Sequence, residues 1–274
     1  MVSGGPGRPA QFAGRSARLL LAKQASGNDC GASRGMIMAP RTASTGLLPV
    51  LERQTVQDQV YAQLREALIA GAFEAKETFT IAALADRFQV SHMPVREALR
   101  RLAAENALRI APSGTAYVPA LSVAELDDIT RARVIIEGAT ADIAFDTLNA
   151  GTDVARLREI ILRHDASGMD GDSVGMTAAN REFHFYIYRG SHSPVLLSQI
   201  ENLWLRSGPY VRILPLRLEE LVKAGMRDGF TPYHEMACNA LAAGNRALFR
   251  EAIESDILAS HRALRNVISD PATS

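Results

Sequence analysis

The chain has 274 residues, of which 47% are hydrophobic and 22% charged, and its thirty basic side chains equal its thirty acidic ones. This length and composition predict a globular protein of one large or two ordinary domains. No apolar run approaches the ~20 residues of a transmembrane helix, which disfavours a membrane protein. The two cysteines, Cys30 and Cys238, lie far apart, so we expect no disulfide framework and a cytoplasmic location.

Residues 1–50 are rich in Gly, Ser, Ala and Arg, and they carry six basic side chains against one acidic side chain. They show no sustained periodicity, so we predict a disordered tail. Two alternatives stay open for this segment. It is a basic arm that touches DNA, or part of it precedes the true start of the protein, at Met36 or Met38.

The first predicted helix begins after Thr55, an N-cap with Asp58 three residues later. Apolar side chains then recur every four residues until Gly71: Val56, Val60, Leu64 and Leu68. A loop is predicted over residues 72–79. Thr80 is expected to cap a short helix whose apolar face carries Ile81, Leu84, Ala85 and Phe88.

A tight turn at Gln89 and Val90 leads into a third helix that begins at Ser91, with Pro94 in its first turn. Its apolar side chains share one face, and its guanidinium groups lie on a neighbouring face. A guanidinium binds phosphate or the O6 and N7 atoms of guanine, so this spacing predicts a DNA recognition helix. The residues expected to contact DNA are Thr80, Ser91, His92, Met93, Arg96 and Arg100.

Two short apolar runs follow, at residues 108–111 and 115–118, and Pro112-Ser113-Gly114 separates them. This pattern predicts a β-hairpin, the wing of a winged helix. The positive charge of this region is local, since residues 87–109 hold five arginines against two glutamates. Such a focused charge favours contact with one groove over general coating of DNA.

Residues 56–118, with PVREAL after a VS turn, resemble the GntR family of bacterial transcription regulators. The resemblance implies a winged helix-turn-helix at residues 51–120, in which Arg96 is the most telling DNA contact. His92 stands where the family often has arginine. Gly114-Thr115 stands where many members have Arg-Gly, which disfavours a minor-groove contact by the wing.

From Ser122, which forms a capping box with Glu125, a long helix is predicted to end at Gly151. Further helices are predicted near residues 153–166, 174–189, 194–224, 232–243 and 246–268. No strand pattern appears after Val118. The predicted fold is therefore mainly α, a winged helix-turn-helix followed at residues 121–270 by an antiparallel bundle of about six helices.

Asn180 and His184 are four residues apart and share one helical face, while His234 and Asp256 lie on later helices. Two imidazoles with oxygen ligands suit a divalent transition metal such as Zn, Ni or Mn. A buried histidine held by hydrogen bonds is the simpler alternative for each of these imidazoles. Cys238, one turn after His234, is expected to be a buried core thiol.

The second half resembles the FCD domain of the same family, which has Asp-x-x-x-His on one helix and a histidine on each of two later helices. Here Asn180 replaces the aspartate, and His184 and His234 match. Asp256 stands at the position of the last histidine, with His261 as the alternative. The resemblance therefore implies a metal site of Asn180, His184, His234 and Asp256.

Arg133 and Glu137 match an Arg-x-x-x-Glu pair of the FCD domain, in which the arginine faces the carboxylate of an effector. The alternative is a surface salt bridge of little energetic importance. Three further residues show no partner spacing, and we assign His164 to the surface, His192 to a loop and Trp204 to the core.

The resemblance implies a homodimeric transcription regulator, most often a repressor in this family, on a palindromic DNA operator. The implied effector is a small organic or sugar acid, bound beside the metal. Two alternatives stay open: a bundle that serves only for dimerisation, and a metal-dependent enzyme, which would leave the winged helix unexplained.

Overall fold

The computed structural model describes residues 55–120, 122–211, 213 and 231–269. The head, residues 55–118, contains α1 (Val56–Ile69), β1 (Thr78–Phe79), α2 (Ile81–Phe88), α3 (His92–Ala104), β2 (Arg109–Ile110) and β3 (Ala116–Tyr117). The bundle, residues 122–269, contains α4 (Val123–Ala144), α5 (Thr152–Met169), α6 (Ser173–Arg189), α7 (Pro194–Val211), α8 (Pro232–Ala242) and α9 (Arg246–Ser269). The predicted fold class is confirmed.

The helix starts of the head lie where the capping residues predict them. The Thr55 hydroxyl accepts from the amide of Asp58, whose carboxylate accepts from the amide of Thr55. Thr80 accepts from the amide of Ala83 at 3.2 Å. Ser91 is the N-cap of α3, but its hydroxyl makes no capping bond, so it stays available to another partner.

The turn between α2 and α3 depends on Gln89, which has a left-handed backbone with φ of 57°. This conformation closes α2, and the amide of Val90 then donates to the carbonyl of Ala85 at 3.0 Å. The apolar face of α3 packs into the head with its side chains almost fully buried: Val95, Ala98, Leu99 and Leu102. The turn at Gln89 therefore orients α3 so that its apolar face packs against the head and its opposite face does not.

The wing is part of a three-stranded antiparallel sheet with strand order β1-β3-β2. The predicted hairpin is present, with Ile110 opposite Ala116 and a left-handed Gly114 in its turn. The prediction of a loop over residues 72–79 was wrong at its end, because Thr78 and Phe79 pair with β3. Two residues carry no detectable period, and their partner strand is distant in the sequence.

The long first helix of the bundle was predicted to reach Gly151, but α4 ends at Ala144. The Asn149 side chain accepts from the amides of Gly151 and Thr152 at 2.7 and 3.0 Å and so supports the start of α5. Asparagine competes in this way with helical hydrogen bonds, and residues 145–151 form the connection instead. The predicted helix at residues 194–224 is present as α7 as far as Val211. Ile213 lies in a turn, and residues 212 and 214–224 lie outside the described residues.

The head contacts the bundle through α1 and α7. Gly208 lies so close to α1 that a Cβ atom there would be 2.8 Å from the carbonyl carbon of Leu68. Arg181 of α6 forms a bidentate ion pair with Glu66. The Tyr210 hydroxyl bonds to the backbone N–H and C=O of Ser122, both at 3.1 Å, which holds the start of α4 against α7.

Within the described residues, no helix is long and apolar enough to cross a membrane. The predicted tail at residues 1–50, with Cys30, lies outside the described part of the chain.

Candidate functional site

The tip and outer face of α3 are exposed, as a DNA-reading surface requires. Ser91, His92 and Met93 are exposed at its N-terminus, and Arg96 and Arg100 are exposed on the following turns. The opposite face carries the buried apolar side chains. The structure therefore presents the five predicted contacts of this helix on one continuous surface.

The two arginines of this surface differ in their present partners. The Nη1 atom of Arg100 donates to Glu97 at 3.0 Å, whereas Arg96 forms no ion pair with the described residues. A guanidinium without a protein partner is free to form a bidentate contact with a base or phosphate. Thr80 is exposed, but its hydroxyl oxygen already caps α2, so its predicted DNA contact would use the O–H donor.

The structure brings three of the four predicted metal ligands together in the bundle. His184, His234 and Asp256, here called the triad, each offer a ligand atom within 4.8 Å of the others. His184 Nε2 is 3.0 Å from Asp256 Oδ2, and His234 Nε2 is 3.5 Å from Asp256 Oδ1. The three residues come from α6, α8 and α9, so only the folded bundle assembles them.

The surroundings of His234 fit a metal ligand better than a hydrogen-bonded core histidine. Its ring stacks on Phe183 with centroids 4.1 Å apart and is only 2% exposed. Neither ring nitrogen has a hydrogen-bond partner among the described residues. A buried polar atom without a partner is destabilising, and a divalent cation would provide a partner for one of these two nitrogens. The donor set of two imidazoles and one carboxylate matches the preference of zinc and similar ions.

Two further residues bear on the triad. Asn180 is half-buried one turn before His184, whose own hydrogen bonds go to Tyr188 and Asp256. His164 was assigned to the surface, which was wrong, because it is 7% exposed and its ring lies edge-on to His234. Position 164 continues the buried stripe of α5 formed by Leu157, Ile160 and Ile161, and this period could have predicted its burial.

Burial sets the protonation of these groups. It lowers the pKa of His184, and burial with the neighbouring His234 lowers the pKa of His164 to about 4. Burial alone would raise the pKa of Asp256, but the imidazoles of His234 and His184 outweigh it and lower that pKa. A neutral His184 imidazole beside an ionised Asp256 carboxylate is the form in which these two side chains bind a metal.

His261 does not belong to this cluster. Its Nε2 lies 2.7 Å from Asp127 on α4, which leaves Asp256 as the acidic member of the triad. Cys238 is fully buried, as predicted for a core thiol, and Trp204 is in the core. His192 is exposed in the α6–α7 connection.

Arg133 and Glu137 form a buried ion pair, so the surface salt-bridge alternative was wrong. Nε of Arg133 donates to Glu137 Oε1 at 2.6 Å, and Nη2 donates to Oε2 at 3.3 Å. The Glu137 side chain has no exposed area. The Tyr188 hydroxyl and the Trp204 indole also donate to this carboxylate, at 2.6 and 3.2 Å.

Tyr188 and Trp204 are site residues that the sequence patterns did not single out. Tyr188 follows His184 by one helical turn, and this spacing was the available signal. The Trp204 ring lies under the Arg133 guanidinium, whose Cζ atom is 4.8 Å from the ring centroid. The centroids of the Trp204 and His184 rings are 5.6 Å apart. These residues connect the ion pair to the triad.

Comparison with known proteins agrees with both halves of this description. Residues 56–118 match the profile of the bacterial regulatory proteins of the gntR family, and residues 128–259 match the FCD domain. The chain is 34% identical to the HTH-type transcriptional regulator McbR of Escherichia coli (strain K12), over 64% of this chain and 78% of that protein. It is 26% identical to the gluconate operon transcriptional repressor of Bacillus licheniformis, over 75% of this chain and 84% of that protein.

The solved structure of E. coli McbR superimposes with a TM-score of 0.68 at 28% identity, covering 79% of this chain and 99% of McbR. The matched family and these relatives are transcription regulators, so the enzyme alternative is not supported. With its winged helix-turn-helix and its helical FCD domain, the chain belongs to the GntR family of DNA-binding transcription regulators.

Proposed function

We propose that this regulator is a homodimeric repressor whose binding to a palindromic operator is controlled by a small organic or sugar acid. The observation that carries the proposal is the pair of sites in one chain. One is an exposed recognition helix whose Arg96 forms no ion pair with the described residues, and the other is a histidine-carboxylate triad in the bundle beside Arg133. A two-fold dimer would present one α3 to each half-site, about one turn of DNA apart. In this proposal the protein acts in the cytoplasm, where its DNA partner is, and residues 121–270 bind effector and form the dimer.

His184, His234 and Asp256 would hold a divalent metal such as Zn, Ni or Mn. The amide oxygen of Asn180, one turn before His184 on α6, would be a further ligand. The metal would add positive charge to the bundle interior beside Arg133 and so favour a carboxylate ligand. Arg133 would contribute its remaining N–H donors to that carboxylate, while Glu137 holds the guanidinium in place.

The effector acts on DNA binding only if it binds the DNA-competent and DNA-incompetent arrangements with different affinity. The route for such coupling is α7, which places Trp204 beside the effector site and Gly208 against α1 of the head. A change in the position of α7 would therefore move the head. This supports a ligand-responsive regulator rather than a bundle that serves only for dimerisation.

DNA fragments selected from a random library by the wild-type protein provide the probe for the DNA-binding part. Replacement of Arg96 by Ala should weaken binding to these fragments by at least about fivefold, since a good bidentate contact contributes about 1–3 kcal/mol. Arg131→Ala is the control, because Arg131 is an exposed arginine of the bundle. Equal binding by both variants in a gel-shift titration would contradict the role of Arg96.

Metal analysis of protein purified without a metal-affinity tag tests the second part. About one equivalent of metal per chain, lost in a His234→Ala variant that still folds, would support the metal-anchored effector site. Metal-free wild-type protein that also takes up no added Zn²⁺ would favour the dimerisation-only bundle.

A further inference from the structure

The Tyr188 hydroxyl lies between the buried ion pair and the triad. Its oxygen is 2.6 Å from Glu137 Oε2 and 3.0 Å from His184 Nδ1. All three side chains are buried, at no more than 1% exposure each. The hydrogen bonds of this path are therefore shielded from bulk water.

The position of each proton follows from the chemistry of the groups. The Glu137 carboxylate, which holds the Arg133 guanidinium at two points, accepts hydrogen bonds and donates none. The single proton of the Tyr188 hydroxyl therefore goes to Glu137. The hydroxyl oxygen then accepts from His184, and this requires a proton on Nδ1.

A proton on Nδ1 leaves Nε2 as the ligand atom of His184. Nε2 is the nitrogen that faces the triad, 3.0 Å from Asp256 Oδ2, and a bound metal would replace the proton that Nε2 shares with this ionised carboxylate. We propose that Tyr188 is a positioning residue that fixes the His184 proton on Nδ1 and so directs the Nε2 lone pair to the metal. This inference rests on the metal site of the proposed function, and it adds the path from Arg133 to that site.

Zinc affinity provides the first test, measured by competition with a chromophoric chelator on the metal-free full-length protein. Tyr188→Phe keeps the ring and removes only the hydroxyl, and it should weaken zinc binding by about 10–100-fold, as the loss of such a supporting hydrogen bond usually does. The matched control is Tyr186→Phe, which makes the same change on α6 but removes a bond to Asp153 away from the triad. Its zinc affinity should equal that of the wild-type protein.

The tautomer itself provides a second readout, which a merely structural role would not change. Long-range ¹H–¹⁵N NMR of the zinc-loaded wild-type protein should show His184 bound through Nε2, with a proton on Nδ1 in a hydrogen bond to Tyr188. In zinc-loaded Tyr188→Phe the Nδ1 proton should lose this hydrogen bond, and its resonance should move upfield.

An unprotonated Nδ1 in the zinc-loaded wild-type protein would overturn the inference even if the variant does not fold. Wild-type zinc affinity in Tyr188→Phe would overturn it while leaving the metal site in place. A wild-type protein that binds no zinc would instead contradict the proposed metal site and, with it, this role of Tyr188.

Discussion

The contact between α1 and α7 leaves no room for a side chain at Gly208. A Cβ atom there would lie 2.8 Å from the carbonyl carbon of Leu68 and closer still to the oxygen of that group. Ordinary carbon–carbon contacts are about 3.5–4.0 Å. The obstructing atoms belong to the backbone of a packed helix, so a Gly208→Ala variant relieves the overlap only by moving α1 away from α7.

The expected cost is the difference of two effects. Alanine is more favourable than glycine inside a helix by about 1 kcal/mol. Inserting a methyl group into a packed interface costs about 1–3 kcal/mol, and the rigid neighbour here favours the upper part of that range. Gly208→Ala should therefore lower the free energy of unfolding by about 1–2 kcal/mol.

Gly138→Ala is a matched control, since it makes the same change inside α4. A Cβ atom there also approaches a neighbour at 2.8 Å, but the neighbour is the Glu254 side chain, which is partly exposed and able to rotate. Urea unfolding of both variants measures the difference. If Gly208→Ala were as stable as Gly138→Ala, the close backbone contact between α1 and α7 would be refuted.

Three further outcomes are expected. Arg133→Met leaves the buried Glu137 charge without its guanidinium and should destabilise the fold by about 3–5 kcal/mol in urea unfolding; a loss below 1 kcal/mol would contradict the buried pair. Burial raises the pKa of the Cys238 thiol to about 12, so at pH 8 this thiol should be alkylated far more slowly in the native protein than in the unfolded chain. Mass spectrometry measures the two rates, and equal rates would contradict the burial of Cys238. The hydrogen bond from Arg181 lowers the pKa of Glu66 below its ordinary value of 4.5, so Glu66→Gln should destabilise the protein above pH 5. The difference in unfolding free energy between wild type and variant should shrink as the pH falls below 4.5, and a difference that grew on acidification would contradict the ion pair.

The fold was predictable where the signal is local. Apolar periods and capping residues placed α1, α2 and α3, because a helix start and a buried face are written within a few neighbouring residues. Pairing between residues that are distant in the sequence leaves no such local signal. Strand β1 was missed for this reason, and the end of α4 was missed because the Asn149 side chain takes backbone donors that a helix would use.

The candidate site was predictable only in part. Spacing placed Asn180 and His184 on one face, and the pattern offered His234 and Asp256 as ligands from later helices. The choice of Asp256 for the last position came from the family resemblance. An Arg-x-x-x-Glu pair has the same spacing on a surface as in a core, so the burial of Glu137 could not be predicted from it. Tyr188 and Trp204, which donate hydrogen bonds to Glu137, come from two other helices, and only the packing of the bundle brings them to this carboxylate.

Thermal unfolding of the full chain against a panel of small carboxylic and sugar acids, before and after removal of metal by a chelator, tests the proposed regulatory site most directly. A ligand of the native state at one hundred times its Kd adds about 2.7 kcal/mol of stability. We predict that at least one acid raises the unfolding temperature of the metal-loaded protein and that chelation abolishes this rise. Equal shifts with and without metal would contradict the metal-anchored effector site, and no shift with any acid would contradict an acid effector.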